Sequence, residues 1–407
     1  MEKININAVI PGMILGHDVV TKEGRLLFQK NQELSQKEIR TLKMWGIPEI
    51  IIVSESRNDP GTETRPKDQR ARQFIDHWFR HNDITNPVIN ILYDICLDRL
   101  GKNLFEISSL FGKNREKTAL PGQDKVGAVK DIRRLLNDRL KLPALPTIFA
   151  EINEAVQKPS CSGKEIASIV SKDPSLSATL LKIINSAYYG FTEKVESLQF
   201  AAMALGTRQV SSLALGITVV NYFKGISDKR INMQSFWRHS VACAITAKTI
   251  GAHVRGVEPE RVFIGGLLHD IGRLVFLTVF PDDYNLLLSK LQGQGNFLYQ
   301  LEPMSFGCNH AQFGSMLTET WNFSDKISKL IHHHHDEFKT LPQLEIAVVY
   351  ISNWLVNATG IGFSGEKELP ALNMNAWKAL VIPPSLLDSI MKQVDRQVVE
   401  TVRFFYE

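Results

Sequence analysis

From Val129 to the C-terminus, apolar residues recur at three- and four-residue spacing almost without a break, and histidines interrupt that pattern at a few points. Ile148, Ile152, Ala155 and Val156 carry the repeat, then Ile166, Ile169 and Val170, then Leu176, Leu180, Leu181 and Ile184, then Leu213, Ile217 and Val220. Such spacing puts apolar side chains on one face of an α-helix. Helix stops stand at Lys158-Pro159, Asp173-Pro174, Tyr189-Gly190 and Leu205-Gly206. Few alternating, strand-like runs occur. The pattern predicts a mainly α protein whose residues 129–407 form one all-α domain of about ten or more helices.

The first 55 residues differ. Ala8-Val9-Ile10 runs into Pro11-Gly12, Val19-Val20 and Leu26-Leu27-Phe28 flank Lys22-Glu23-Gly24, and Ile50 to Val53 is continuously apolar. Short apolar runs between Gly and charged residues predict strands and hairpins. Ser35 with Glu38 three positions later suits a capping box, and Gly46-Ile47-Pro48 would end that helix. Residues 1–55 therefore predict a small α+β module. Residues 56–69 are polar, with Pro60, Gly61 and Pro66, and predict a linker. Residues 70–128 predict a helical connector: Phe74, Ile75, Trp78 and Phe79 have helical spacing, as do Ile91, Leu92, Ile95 and Leu100, while Lys113 to Gly127 predicts a mobile loop.

Composition excludes little but orients the reading. A chain of 407 residues exceeds one ordinary core. The net charge is +4, with Lys and Arg dispersed, so nucleic-acid binding is unsupported. Cys96, Cys161, Cys243 and Cys308 are far apart and form no CxxC pair, which suits a reduced, cytoplasmic protein. Glu2 and Lys3 follow Met1 with no apolar stretch behind them, and no apolar run approaches the roughly 20 residues that span a bilayer, so no membrane association is expected.

Of 11 histidines, eight fall between His239 and His335, four of them consecutively from His332 to His335. In Leu267-Leu268-His269-Asp270-Ile271 an imidazole and a carboxylate interrupt an apolar helix. Burying them unpartnered would cost several kcal/mol, so they pair with each other or bind a metal. Neutral imidazole is the commonest protein ligand of transition metals, and a neighbouring carboxylate supplies charge. His239 lies on a helix whose Ala242, Ala244 and Ala247 permit close packing, and His310 opens another helix-like segment. Consecutive helical positions point about 100° apart, so the four-histidine tract cannot face one ion as a whole. A polar helix end bearing protonatable rings is its plainer reading. Trp237, Trp321, Trp354 and Trp377 sit at apolar helical positions and read as core. Gly360 to Gly365 reads as a turn rather than a phosphate loop, because no strand–loop–helix context surrounds it.

Trp237-Arg238-His239, Gly265-Gly266-Leu267-Leu268-His269-Asp270-Ile271-Gly272-Arg273-Leu274, the helix from His310 to Trp321, and His334-His335 resemble the HD superfamily of metal phosphohydrolases. Leu142-Pro143-Ala144-Leu145-Pro146, Ser171-Lys172-Asp173-Pro174-Ser175-Leu176 and Asn185-Ser186-Ala187-Tyr188-Tyr189-Gly190 are similar to one branch of it, the HDOD (HD-related output) domain. Ile361 to Glu366 and Ala376-Trp377 resemble the C-terminal stretch of longer HDOD proteins. The resemblance covers about residues 129–382. Pro11-Gly12-Met13, Gly24-Arg25-Leu26-Leu27 and Trp45-Gly46-Ile47 resemble the module that precedes many HD-GYP phosphodiesterase domains.

The resemblance implies a bacterial signalling protein with a regulatory output domain that acts through a protein partner. It also implies metal ligands at His239, His269 and Asp270, with further ligands of binuclear relatives at His310, His334 and His335. The family's later Asp falls on Asn353, a neutral and weaker ligand. The ion would be divalent: iron, manganese, zinc or magnesium. In the alternative, a phosphohydrolase acting on a phosphoester or nucleotide, Asp270 would link two metal ions and Arg273, which stands at the lysine of the HDIGK motif, would hold the phosphate. Cyclic di-GMP hydrolysis is disfavoured, since Asp336-Glu337-Phe338-Lys339 replaces the Gly-Tyr-Pro motif.

Overall fold

The computed structural model describes residues 2–6, 9, 13–20, 26–32, 34–35, 38–39, 41–42, 47, 49–52, 66–102, 145–186, 189–223, 232–291, 297–363, 365–366 and 368–406. They divide into two compact units, Met1–Pro66 and Lys67–Glu407. The turn expected at Pro11-Gly12, the hairpin glycine Gly24, Trp45-Gly46 and Pro48, residues 53–65 of the linker region, the loop within 103–144, Leu142-Pro143-Ala144 and Tyr188 lie outside the described residues.

The first unit carries strands β1 (Glu2–Asn5), β2 (Val19–Val20), β3 (Leu26–Phe28) and β4 (Glu49–Ile52). β1 and β4 pair antiparallel from Glu2↔Ile52 to Asn5↔Glu49, and β2 pairs antiparallel with β3. Leu15, Leu34, Ile39, Leu42, Ile50 and Ile52 fill a small core of their own. The Glu38 carboxylate accepts from the Ser35 backbone N–H at 2.9 Å, just ahead of helical residues 38–39. β1 is a strand that Glu2-Lys3-Ile4-Asn5 did not announce. Its polar composition hides it, and the backbone ladder to β4 is what forms it.

The second unit is helical. Its helices are α1 (Pro66–Trp78), α2 (Pro87–Gly101), α3 (Thr147–Gln157), α4 (Gly163–Val170), α5 (Pro174–Ile184), α6 (Leu198–Leu205), α7 (Thr207–Phe223) and α8 (Met233–His253). There follow α9 (Pro259–Leu268), α10 (Ile271–Val279), α11 (Pro281–Lys290), α12 (Leu298–Phe306), α13 (His310–Thr320), α14 (Asp325–His332), α15 (Leu344–Ala358), α16 (Met374–Leu380) and α17 (Leu387–Tyr406). Side-chain caps start several of them: Ser162 accepts from the Glu165 N–H, Asp173 from Leu176, Ser197 from Phe200 and Asn232 from Ser235. Asn309 and Gln312 close a reciprocal capping box that fixes where α13 begins, at His310.

α8 is the central helix, packed against α9, α15 and α17. Two glycines set the approaches that matter. A Cβ on Gly266 would stand 2.8 Å from the Cys243 carbonyl oxygen, so α9 meets α8 backbone to backbone there. A Cβ on Gly272 would overlap the His310 carbonyl, so the start of α10 lies directly on the start of α13. Trp237, Trp354 and Trp377 are buried in the core, and Trp321 packs at its edge.

The structure corrects two expectations. The stretch Pro259–Val279, with mean hydropathy 1.6, is long and apolar enough to cross a membrane, whereas no such run was anticipated; 89% of that window is buried inside the domain, as a core segment would be. The His269-Asp270 pair was expected inside one helix. It occupies the turn between α9 and α10, where Asp270 has φ −95° and ψ 10°. The Gly266 carbonyl accepts from the His269 ring at 2.8 Å, and the Asp270 carbonyl accepts the Arg273 N–H at 3.0 Å to begin the next helix.

Candidate metal centre

Asp270 is the hub. Its Oδ1 lies 3.1 Å from His310 Nε2 and 3.7 Å from His334 Nε2. Its Oδ2 lies 3.3 Å from His269 Nε2, 3.9 Å from His239 Nε2 and 3.2 Å from an Arg273 Nη1 donor. His335 Nε2 stands 3.0 Å from His310 Nε2. Five of the six sequence-identified histidine and aspartate positions are almost wholly buried, and His335 is partly so.

Three of the imidazoles are oriented by their other nitrogen, while His239 Nδ1 is buried without a hydrogen-bond partner. His269 Nδ1 donates to the Gly266 carbonyl at 2.8 Å, and His334 Nδ1 donates to the Ile331 carbonyl at 2.6 Å. His310 Nδ1 donates to the Glu302 carboxylate at 2.6 Å, and the same carboxylate takes the His310 backbone N–H at 2.8 Å. A proton fixed on Nδ1 leaves the Nε2 lone pair facing inward, the arrangement that partner groups impose on metal-bound histidine. The Nε2 of His334 is buried and has no hydrogen-bond partner. Acceptors thus converge around Asp270 with a shortage of donors, an arrangement that calls for a cation.

Electrostatics keeps all but one of the shifted imidazoles neutral. Burial and the His269 ring push His239 down to about 3, and burial pushes His334 down to about 3, so both stay neutral. Burial also drives His335 well below its ordinary value. Burial opposes charge on His310 as well, but Glu302 and Asp270 outweigh it and raise that group to about 9. Burial likewise works against the Asp270 carboxylate, yet His269 and Arg273 hold it well below the usual range. His239, His334 and His335 thus stand neutral beside the Asp270 carboxylate, whereas His310 holds a proton that a divalent ion would have to displace.

The donor atoms form two sets, each with all atoms within 4.8 Å of one another: Asp270, His310, His334 and His335, and His239, Cys243 and His269. The four-histidine tract splits at the end of α14, with His332 its last residue and the other three in the turn that follows. His334 and His335 turn inward, while His333 pairs with Asp336 at 2.6 Å near the surface and His332 is half-buried outside both sets. Asn353 is buried nearby on α15. Its Oδ1 accepts from Asn357 at 2.9 Å and lies 4.0 Å from Cys243 Sγ. Arg273 donates to Asp270 and, through Nε, to the Tyr284 hydroxyl at 3.1 Å, which in turn donates to Glu302 at 3.1 Å. Gly365, at φ +108°, lies over its Nη2. Gly362, at φ +68°, presses on the His239 backbone, so the glycine-rich segment covers the cluster rather than cradling an anion.

Beside the cluster is a cavity of about 430 Å³ lined by His334, His335, Asn353, Tyr299 and Tyr350, with Lys339 opposing the acidic Asp336, Glu337 and Glu366. Tyr299 stacks on His335 with ring centroids 4.5 Å apart. Cys243, Glu302, Tyr284, Tyr299 and Glu366 were not singled out from sequence. Cys243 carried a legible signal, standing four residues after His239; the others have no local motif.

The profile of the HDOD domain family matches residues 142–337, a span that holds every donor of both sets. That span belongs to the HDOD family. An uncharacterized protein of Treponema pallidum (strain Nichols) is 25% identical over 197 residues, which are 48% of this chain and 38% of that protein. The chain thus matches well under half the length of this relative. Among solved structures, an HDOD domain protein of unknown function from Geobacter sulfurreducens aligns with TM-score 0.56 and 23% identity over 68% of this chain and 96% of that one. A provisionally assigned phosphohydrolase from Shewanella amazonensis SB2B aligns with TM-score 0.56 and 19% identity over 68% and 99%. A provisionally assigned signal-transduction protein from Marinobacter aquaeolei VT8 aligns with TM-score 0.54 and 22% identity over 80% and 69%. At these identities the likeness establishes the fold: mainly α, of the HD/HDOD kind.

Proposed function

We propose that this chain is a cytoplasmic bacterial signal-transduction protein whose HDOD domain holds a divalent metal ion and acts on a protein partner rather than turning over a phosphoester. His239, His269, Asp270, His310, His334 and His335 would hold the metal, which supplies positive charge at the centre of the buried cluster. The charge of the adjoining cavity carries the reading. Asp336 and Glu337 line it against a single Lys339, with the buried Glu366 carboxyl adding charge only as pH rises through about 7, while Arg273 is 1% exposed and donates to Asp270 and Tyr284. A wall of that sign disfavours a phosphate, and the guanidinium that would hold one instead supports Asp270. The amide of Asn353 removes a further negative ligand from the metal.

One observation favours a phosphohydrolase: the cavity reaches His334, His335 and Asn353, so a small phosphoester could approach a metal bound there. The deciding experiment is a turnover assay of the metal-loaded full chain with generic phosphodiesters and nucleotides, supplied in turn with manganese, iron, zinc and magnesium. No turnover above the metal blank is expected. Rates on the order of 1 to 1,000 per second that vanish in Asp270→Ala would replace this reading with the enzymatic one.

A further inference from the structure

We propose that Cys243 supplies the anionic ligand that Asn353 does not, so that His239, Cys243, His269 and Asp270 together hold one thiophilic divalent ion, zinc or ferrous iron. The inference rests on the metal-centre reading above and adds the ligand that sets metal preference.

Cys243 follows His239 by one helical turn on α8, so both side chains leave the same face. Cys243 Sγ lies 3.5 Å from His239 Nε2, and His239 Nε2 lies 3.3 Å from His269 Nε2. Tetrahedral zinc, with nitrogen at about 2.05 Å and sulfur at about 2.3 Å, separates its ligands by about 3.55 Å for S···N and about 3.35 Å for N···N. Two edges of the set therefore already have the spacing of a coordination tetrahedron. Asp270 Oδ2, 3.3 Å from His269 Nε2, supplies a third, and its 3.9 Å separation from His239 Nε2 is a longer edge.

Free cysteine in a core usually serves as a small apolar filler. This one lies in the core cluster with polar groups near its sulfur: His239 Nε2 at 3.5 Å and the Asn353 amide oxygen at 4.0 Å. Gly266, which lacks the Cβ that would strike the Cys243 carbonyl, lets α9 deliver His269 to this point. An independent sign of a missing cation is His334 Nε2 in the adjoining set, buried without a partner. On binding, a metal–sulfur bond forms and the thiol proton leaves to solvent. Thiolate and Asp270 together then balance the charge of a divalent ion. A thiolate donor selects zinc and iron over magnesium and manganese, which prefer oxygen.

Cobalt(II) loaded into the full chain reports the ligand directly. A near-ultraviolet thiolate-to-cobalt charge-transfer band is expected in the wild type. It should persist in Cys161→Ser, and be absent in Cys243→Ser. X-ray absorption of the zinc-loaded wild type, which needs no variant, should show a sulfur neighbour at about 2.3 Å. Loss of a partner behind a metal ligand costs about 10- to 100-fold in affinity. Cys243→Ser should therefore lose about 100-fold or more for zinc, little for magnesium, and recover part of the zinc loss when combined with Asn353→Asp. Cobalt bound with no such band, or a band unchanged in Cys243→Ser, overturns the thiolate ligand and leaves the metal centre standing. No cobalt or zinc bound at all overturns both.

Discussion

At position 353 one atom decides a unit of charge. An aspartate in place of the amide would stand near His239 and Cys243, where unit charges about 4 Å apart at an effective dielectric of about 20 interact by about 4 kcal/mol. Burial of the new carboxylate offsets part of that gain. Asn353→Asp is expected to tighten divalent-metal binding by roughly tenfold or more, read by calorimetric titration; unchanged affinity would remove Asn353 from the site. Glu366 offers a separate test. Its carboxyl is buried, accepts from the Leu298 N–H at 3.2 Å, and is pushed up by burial to about 7, above its ordinary 4.5. The folded protein then binds the proton more tightly than the unfolded chain, so stability from this group is complete below about 4.5 and is lost as pH rises to about 7. A shift of this size is worth roughly 3 kcal/mol. Denaturant unfolding of wild type and Glu366→Gln across that window should show the difference, with the variant losing less stability as pH rises. A parallel pH dependence in the two proteins would count against it. The histidines and Asp270 were legible as residues because polar groups in an apolar repeat need partners. Glu302, Tyr284 and Glu366 were not, because their roles come from segments that meet only in the fold.

Helix starts and helix ends do most of the positioning. The box of Asn309 and Gln312 puts His310 in the first turn of α13, and the turn between α9 and α10 brings Asp270 against it. Gly272 makes that contact possible. Gly272→Ala would drive a methyl into the His310 carbonyl, and overpacking of a tight core costs about 1 to 3 kcal/mol. The expected outcome is a lower unfolding midpoint together with weaker metal binding; an effect on neither would mean α10 and α13 have room to spare. The helices themselves were readable from spacing and from stops such as Gly206, which closes α6 at φ +93°. The break at His269-Asp270 was not, since the stretch from Leu267 to Leu274 carries no proline and no stop residue other than Gly272, which lies beyond the break. β1 was equally hidden, because its partner β4 lies more than forty residues away.

For the whole chain, two cores of different character follow from composition: a small mixed one before the polar stretch and a large helical one after it. Limited proteolysis is expected to cut first within residues 54–68, which carry two prolines and a glycine among polar residues, and to leave the helical part intact. First cleavage inside residues 145–406 would contradict that boundary. The central claim is that one buried cluster, built on Asp270, binds a divalent metal. Its most direct measurement is calorimetric titration of zinc and ferrous iron into metal-free full chain, beside Asp270→Ala shown by circular dichroism to keep its helices. Saturable binding by the wild type and none by the variant is the predicted result. A folded wild type that binds neither metal, or an Asp270→Ala variant that binds them equally well, would contradict it.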